Sequence, residues 1–151
     1  MVSVADRLKQ HAESVAPGKP FRLTEAHAVG DEVWQGDLCI AVAVAKPPEG
    51  YVRVENPTEA DRQLAVEAGA GSHHRIRSLD GVTLWRPKNW GKDDTDLRGP
   101  FVVFATPNAI VHEPGHDKPH GTVFIDAPMA VQCRQQRNLD AETRREIRAR
   151  D

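Results

Sequence analysis

The chain has 151 residues, of which 39% are hydrophobic and 28% charged, a composition typical of one globular domain. Lys and Arg total 20 against 22 Asp and Glu, so the chain lacks the basic excess of proteins that bind nucleic acid through its phosphates. No apolar run approaches the roughly 20 residues of a membrane helix. These numbers argue against nucleic-acid and membrane binding as the main function, although the arginines near the C-terminus leave a local nucleic-acid contact open.

The first 18 residues predict an amphipathic helix. Val4, Leu8, Ala12 and Val15 recur at helical spacing, and Pro17-Gly18 ends the pattern. The segment is polar and lacks the apolar region of a secretory signal. We therefore expect a cytoplasmic protein of a bacterium or a phage-infected host, with a virion-associated location as the alternative.

Residues 20–137 predict a β-rich core within a single domain, 1–151. Short apolar segments rich in β-branched residues alternate with turn residues, and the strand candidates are Leu38–Ala45, Tyr51–Val54, Val82–Trp85, Phe101–Ala105, Ala109–Val111, Thr122–Ile125 and Met129–Arg134. This pattern predicts a mainly β fold, a small β-sandwich or barrel, with a double-stranded β-helix as one form of it.

Three segments interrupt the strand pattern. Thr58–Ala68 opens like a helix at Thr58 and Asp61 but runs into glycines, which predicts a brief helix. Arg86–Pro100 is a long polar loop in which we expect Trp90 to be exposed. Residues 138–151 predict a short C-terminal helical tail that begins after Asp140 and carries several arginines.

The segment HEPGHDKPHG, residues 112–121, contains the H-E-x-x-H pattern of zinc proteases. That pattern works on a helix, which brings both histidines to one face. Here Pro114 and Gly115 fill the intervening positions, and they disfavour a helix by about 3 and about 1 kcal/mol. The sequence therefore argues against a metalloprotease.

A metal site on strands or loops remains open. Imidazole nitrogens suit zinc, iron and nickel, and five histidines fall in two segments: His73, His74, His112, His116 and His120. Glu113 and Asp117 are candidate oxygen ligands, partners of the ligands, or a general base. Because neighbouring residues of a strand point to opposite faces, at most one of His73 and His74 can enter the same site. The competing interpretation is an exposed polar loop without a function.

Three stretches together resemble a family of small bacterial and phage proteins of unknown activity. They are WQGDLCIAVAVAKPPEG (34–50), GAGSHHRI (69–76) and HEPGHDKPHGTVFIDAPMAVQCRQQR (112–137). The family shows a Q-G-D opening before an apolar strand, and two segments that contain histidine. The resemblance implies a small β-rich domain whose two histidine segments lie close in space, and it implies no reaction.

Two functional hypotheses follow. In the first, the two histidine segments bind a metal or a small ligand, and the protein is an enzyme if Glu113 or Asp117 acts as a base. In the second, the chain is a non-enzymatic, phage-type interaction module that docks on a protein partner or on a second copy of itself.

The two cysteines, Cys39 and Cys133, are expected to be buried free thiols.

Overall fold

The structure, a computed structural model, describes residues 21–66, 73–92, 97–113, 121–135, 137–139 and 146–148. Its strands are β1 Phe21–Leu23, β2 Glu32–Gln35, β3 Leu38–Ala43, β4 Tyr51–Arg53, β5 His73–Ile76, β6 Val82–Pro87, β7 Arg98–Phe104, β8 Asn108–Glu113, β9 Val123–Ile125, β10 Met129–Gln135, β11 Arg137–Leu139 and β12 Glu146–Arg148. One short 3-10 helix, Glu59–Arg62, precedes β5. The described part of the chain is therefore mainly β, as the sequence predicts.

The strands form two main sheets that share one hydrophobic core. The first sheet has the order β1-β9-β8-β5, and the second, which is antiparallel throughout, has the order β2-β3-β10-β7-β6-β4. Both sheets contribute to the core: Leu23, Val33, Leu38, Ile40, Val42, Leu64, Ile76, Leu84, Val102, Phe104, Ile110, Val123, Ile125 and Val131. Neither sheet closes into a barrel through its described strands, so the fold has two layers around a common core.

The apolar run in β3 explains its position next to β10, inside the larger sheet. Leu38, Ile40 and Val42 alternate into the core, and Cys39 between them is also buried on the opposite face. A strand that is buried on both faces is apolar throughout instead of alternating. The other predicted strands are all present, with bounds that differ by one to a few residues.

The predicted C-terminal helix is wrong. Arg137–Leu139 and Glu146–Arg148 pair as antiparallel strands, with Asn138 opposite Ile147. Residues 138–151 have only two large apolar side chains, Leu139 and Ile147, and a short helix with so little apolar surface to bury is only marginally stable. The predicted N-terminal helix lies outside the described residues. Within the described residues, no helix is long and apolar enough to cross a membrane.

A tight hairpin joins β2 to β3 and carries the Q-G-D sequence. Gln35 pairs with Leu38 across it, so the loop consists only of Gly36 and Asp37. Gly36 has φ 59° and is the first loop residue, the position that a type II′ turn gives to glycine. The hairpin therefore brings Gln35 and Asp37 to one end of the core.

Candidate functional site

The two histidine segments meet as neighbouring antiparallel strands. β5 pairs with β8 in a register that places His74 opposite His112 and His73 opposite Glu113. His74 and His112 share a face with the core residues Ile76 and Ile110, which alternate with them along the same strands. The register therefore brings one histidine from each segment to the end of the hydrophobic core.

The rings of these two histidines are stacked and buried. Their centroids lie 3.8 Å apart with an interplanar angle of 16°, and the two residues are 1% and 7% exposed. A metal binds imidazole nitrogen close to the plane of the ring. Because the two ring planes are nearly parallel, one ion cannot lie in both planes in this arrangement.

Gln35 determines the tautomer of His74. Its side-chain Nε2 donates to the carbonyl oxygens of Ile110, at 3.0 Å, and Gly121, at 2.9 Å. These two acceptors fix the orientation of the amide, so Oε1 is the atom that lies 2.8 Å from Nδ1 of His74. An amide oxygen only accepts. The Nδ1 atom of His74 therefore carries a proton and donates it to Gln35.

The other nitrogen of His74 faces a carboxylate. Asp37 Oδ1 lies 3.4 Å from Nε2, and both side chains are largely buried, with 10% and 1% of their surface exposed. In the neutral ring with its proton on Nδ1, Nε2 has a lone pair and would face a negative oxygen. The arrangement is stabilised by positive charge at this nitrogen, either a proton or a metal ion.

The predicted ligands are only partly within the described residues. Of the pair His73 and His74, it is His74 whose ring is buried beside His112. The backbone places His73 opposite Glu113 on the strand pair, and their side chains are not described. The remaining predicted site residues, His116, Asp117 and His120, lie outside the described residues. Among the residues that are described, no three His, Cys, Asp or Glu side chains are grouped to hold a metal.

Sequence reasoning missed two members of the site, Gln35 and Asp37. The signal was present in β2, where Val33 and Gln35 alternate toward the core, so a polar residue occupies a position that the strand pattern assigns to the interior. The glycine between Gln35 and Asp37 marks the hairpin. The sequence does not show which strand Gln35 contacts. Its side chain bonds to Ile110 in β8, 75 residues further along the chain.

The cysteines are buried free thiols, as predicted. Burial raises the pKa of Cys133 to about 12. Burial also raises the pKa of Cys39, and the nearby negative charge of Glu32 adds to the effect. Both thiols therefore remain protonated at neutral pH, which argues against a nucleophilic role.

Trp90, which we expected to be exposed, is half-buried. The Arg86 guanidinium lies 4.8 Å from the centre of its ring. A long polar loop does not by itself expose its aromatic residue, because an arginine stem can cover one face of the ring.

Comparisons with protein-family models, curated proteins and solved structures give no match to this chain. The family resemblance of the Q-G-D and histidine segments therefore stays a prediction, as does the hypothesis of an interaction module.

Proposed function

We propose that this protein binds a divalent transition metal ion, with zinc as the first choice, through Nε2 of His74 and the carboxylate of Asp37. The observation that supports this most strongly is the fixed tautomer of His74. Histidines that bind metals commonly donate their second ring N–H to a fixed acceptor, which orients the ring and leaves the other nitrogen for the ion. Gln35 provides that acceptor at 2.8 Å.

The spacing of the two atoms also supports a metal over a proton. Zinc binds histidine nitrogen and carboxylate oxygen at about 2.0–2.2 Å, and at a tetrahedral angle these bonds separate the two atoms by about 3.4 Å. Nε2 of His74 and Oδ1 of Asp37 are 3.4 Å apart. A shared proton between charged partners gives a shorter separation, about 2.7–2.9 Å.

A zinc site has three or four protein ligands, so one or two more ligands are needed besides His74 and Asp37. His112 becomes a ligand only after its ring turns out of the stack with His74. The segment 114–120 contains His116, Asp117 and His120, and its two ends are joined to the site: it follows β8, which carries His112, and leads to Gly121, whose carbonyl accepts from Gln35. These residues are the candidates for the remaining ligands. Histidine nitrogen and carboxylate oxygen also bind iron and nickel.

Metal titration of the untagged, metal-free protein tests the proposal. We expect one equivalent of Zn²⁺ to bind, as seen by isothermal titration calorimetry and by elemental analysis after dialysis. Asp37→Asn keeps the shape of the side chain and removes its charge, so it should weaken binding by at least about 10-fold. His74→Gln should abolish it, and His116→Ala tests a contribution from the segment 114–120.

His27→Gln provides a matched control. His27 is a half-buried histidine whose Nδ1 accepts from the backbone N–H of Thr24 at 3.0 Å, and it has no part in the proposed site. It should bind zinc like the wild type. Absence of bound metal in the wild type, or equal affinity in the His27, Asp37 and His74 variants, would refute the proposal.

A further inference from the structure

A polar cavity, separate from the histidine site, lies between the short 3-10 helix and the loop that follows β6. Its volume is about 430 Å³, within the usual range for sites that bind small molecules. The polar residues that line it are Asp61, Gln63, Arg75, Arg86 and Trp90. Smaller apolar residues, Val66 among them, complete the wall.

The charges that line this cavity are unequal. Arg86 donates from Nη1 to the carboxylate of Asp61 at 2.9 Å and from Nη2 to its carbonyl oxygen at 3.3 Å. Among the described residues that line the cavity, Arg75 adds a second guanidinium and Asp61 is the one carboxylate. These described residues therefore contribute more positive than negative charge, which favours an anionic ligand.

Two hydrogen-bond donors in the same wall are buried without an acceptor. They are the indole Nε1–H of Trp90 and the Nε–H of Arg86, whose guanidinium lies 4.8 Å from the centre of the Trp90 ring. A buried donor that lacks a partner is destabilising, and native structures contain few of them. Two such donors on neighbouring side chains call for a ligand that brings acceptors.

We propose that this cavity binds a small molecule through an oxyanion group, a carboxylate or a phosphate, which accepts from Trp90 Nε1 and Arg86 Nε and is attracted by Arg75. Both nitrogens are covered in this structure. Binding therefore includes a rotation of the Trp90 or Arg86 side chain that turns the donors toward the ligand, and the new hydrogen bonds stabilise the rotated state.

Both donors give their own signals in ¹H–¹⁵N NMR spectra, so the proposal is directly testable. The full chain is titrated with benzoate in one series and with inorganic phosphate in another, in a buffer free of both. The indole signal of Trp90, assigned with Trp90→Phe, and the Nε–H signal of Arg86 should move downfield and saturate, with a Kd on the order of 1 mM for such small ligands. Saturation by benzoate alone identifies a carboxylate ligand, and saturation by phosphate alone identifies a phosphate ligand.

Variants and a neutral ligand complete the test. Arg75→Gln should weaken binding about 5-fold or more, and Trp90→Phe, which keeps an aromatic side chain but removes the Nε1 donor with the five-membered ring, by about 5-fold. Trp85→Phe, whose ring contacts Phe101 instead, should bind like the wild type, and neutral benzamide should not saturate the Trp90 signal. The proposal is overturned if neither anion gives a saturable shift, if benzamide matches benzoate, or if Arg75→Gln and Trp90→Phe both bind as the wild type does.

Discussion

The imidazole rings of His74 and His112 lie face to face, with 3.8 Å between their centroids. They come from segments that are 38 positions apart in the sequence, and the register of β5 with β8 makes them direct cross-strand partners. Because their planes are nearly parallel, one metal ion cannot bind both rings in this arrangement. Only His74 has its ring proton fixed by Gln35 and its other nitrogen beside Asp37.

This difference predicts unequal effects of two matched substitutions. His74→Phe and His112→Phe each replace one stacked ring by another aromatic ring. We expect His74→Phe to abolish zinc binding and His112→Phe to leave the affinity within about 10-fold of the wild type. Calorimetric titration of both variants, after circular dichroism has shown that they are folded, provides the comparison. The reverse order of affinities would mean that His112 is the main ligand.

Gln35 is predicted to be the most important polar residue for stability at this end of the core. It is fully buried, and its side chain bonds to two backbone carbonyls and to His74. Gln35→Met keeps the volume and removes all three bonds, so we expect the free energy of unfolding to fall by about 3 kcal/mol, at about 1 kcal/mol for each bond. Urea denaturation followed by fluorescence measures the change.

A second glutamine gives the control for this prediction. Gln63 is half-buried and donates one side-chain hydrogen bond to the carbonyl of Ala65, so Gln63→Met should cost no more than about 1 kcal/mol. If Gln35→Met and Gln63→Met lowered the free energy of unfolding equally, the hydrogen bonds around Gln35 would add nothing to stability beyond those of Gln63.

Asp61 predicts a pH-dependent contribution to stability. The hydrogen bond from the backbone N–H of Thr58, and then the charge of Arg86, lower the pKa of Asp61 below its usual value of 3.8. A lowered pKa means that the folded state favours the carboxylate, so the contribution is present above pH 3.8 and is lost as the pH falls through the folded-state pKa.

Asp61→Asn should therefore lower the free energy of unfolding by about 1 kcal/mol at pH 7, the usual effect of losing a capping carboxylate. The difference from the wild type should shrink as the pH falls below about 4. Urea denaturation of both proteins over a pH series measures it. A difference that grows toward low pH would contradict the assigned sign.

The two cysteines should be chemically inert in the folded protein. Both are 0% exposed, and the raised pKa of each keeps it in the thiol form, whereas the thiolate is the reactive species. We expect no alkylation by iodoacetamide at pH 8 without denaturant and complete alkylation of Cys39 and Cys133 in urea, as measured by mass spectrometry. Rapid alkylation of either cysteine in the native protein would contradict this expectation.

The β-rich fold could be predicted from the sequence because its signals are local. The apolar run after Asp37 and the spacing of turn residues mark most strands of the larger sheet. The hairpin at Gly36 also has a local signal in its glycine. In the C-terminal segment, helix propensity around Glu146 predicted a helix where the structure has a strand. The pairing of β12 with β11 outweighs this weak local preference.

The candidate site could be predicted only in part. The meeting of the two histidine segments was expected, and His74 and His112 do meet. Their stacking and the attachment of Gln35 to Ile110 depend on how the β2–β3 hairpin packs against the other sheet. That packing joins segments that are far apart in the sequence, so the spacing of residues within one segment cannot predict it.

Nitrogen-15 NMR of the imidazole rings tests the central claim most directly, because it observes both nitrogens of His74 separately. Before metal is added, we predict that Nδ1 of this residue carries a proton, because it donates to Oε1 of Gln35. Addition of one equivalent of Zn²⁺ should shift Nε2 of His74 while Nδ1 keeps its proton, and Asp37→Asn should require a higher zinc concentration for the same shift. A proton on Nε2 instead of Nδ1, or spectra that zinc leaves unchanged, would contradict the account.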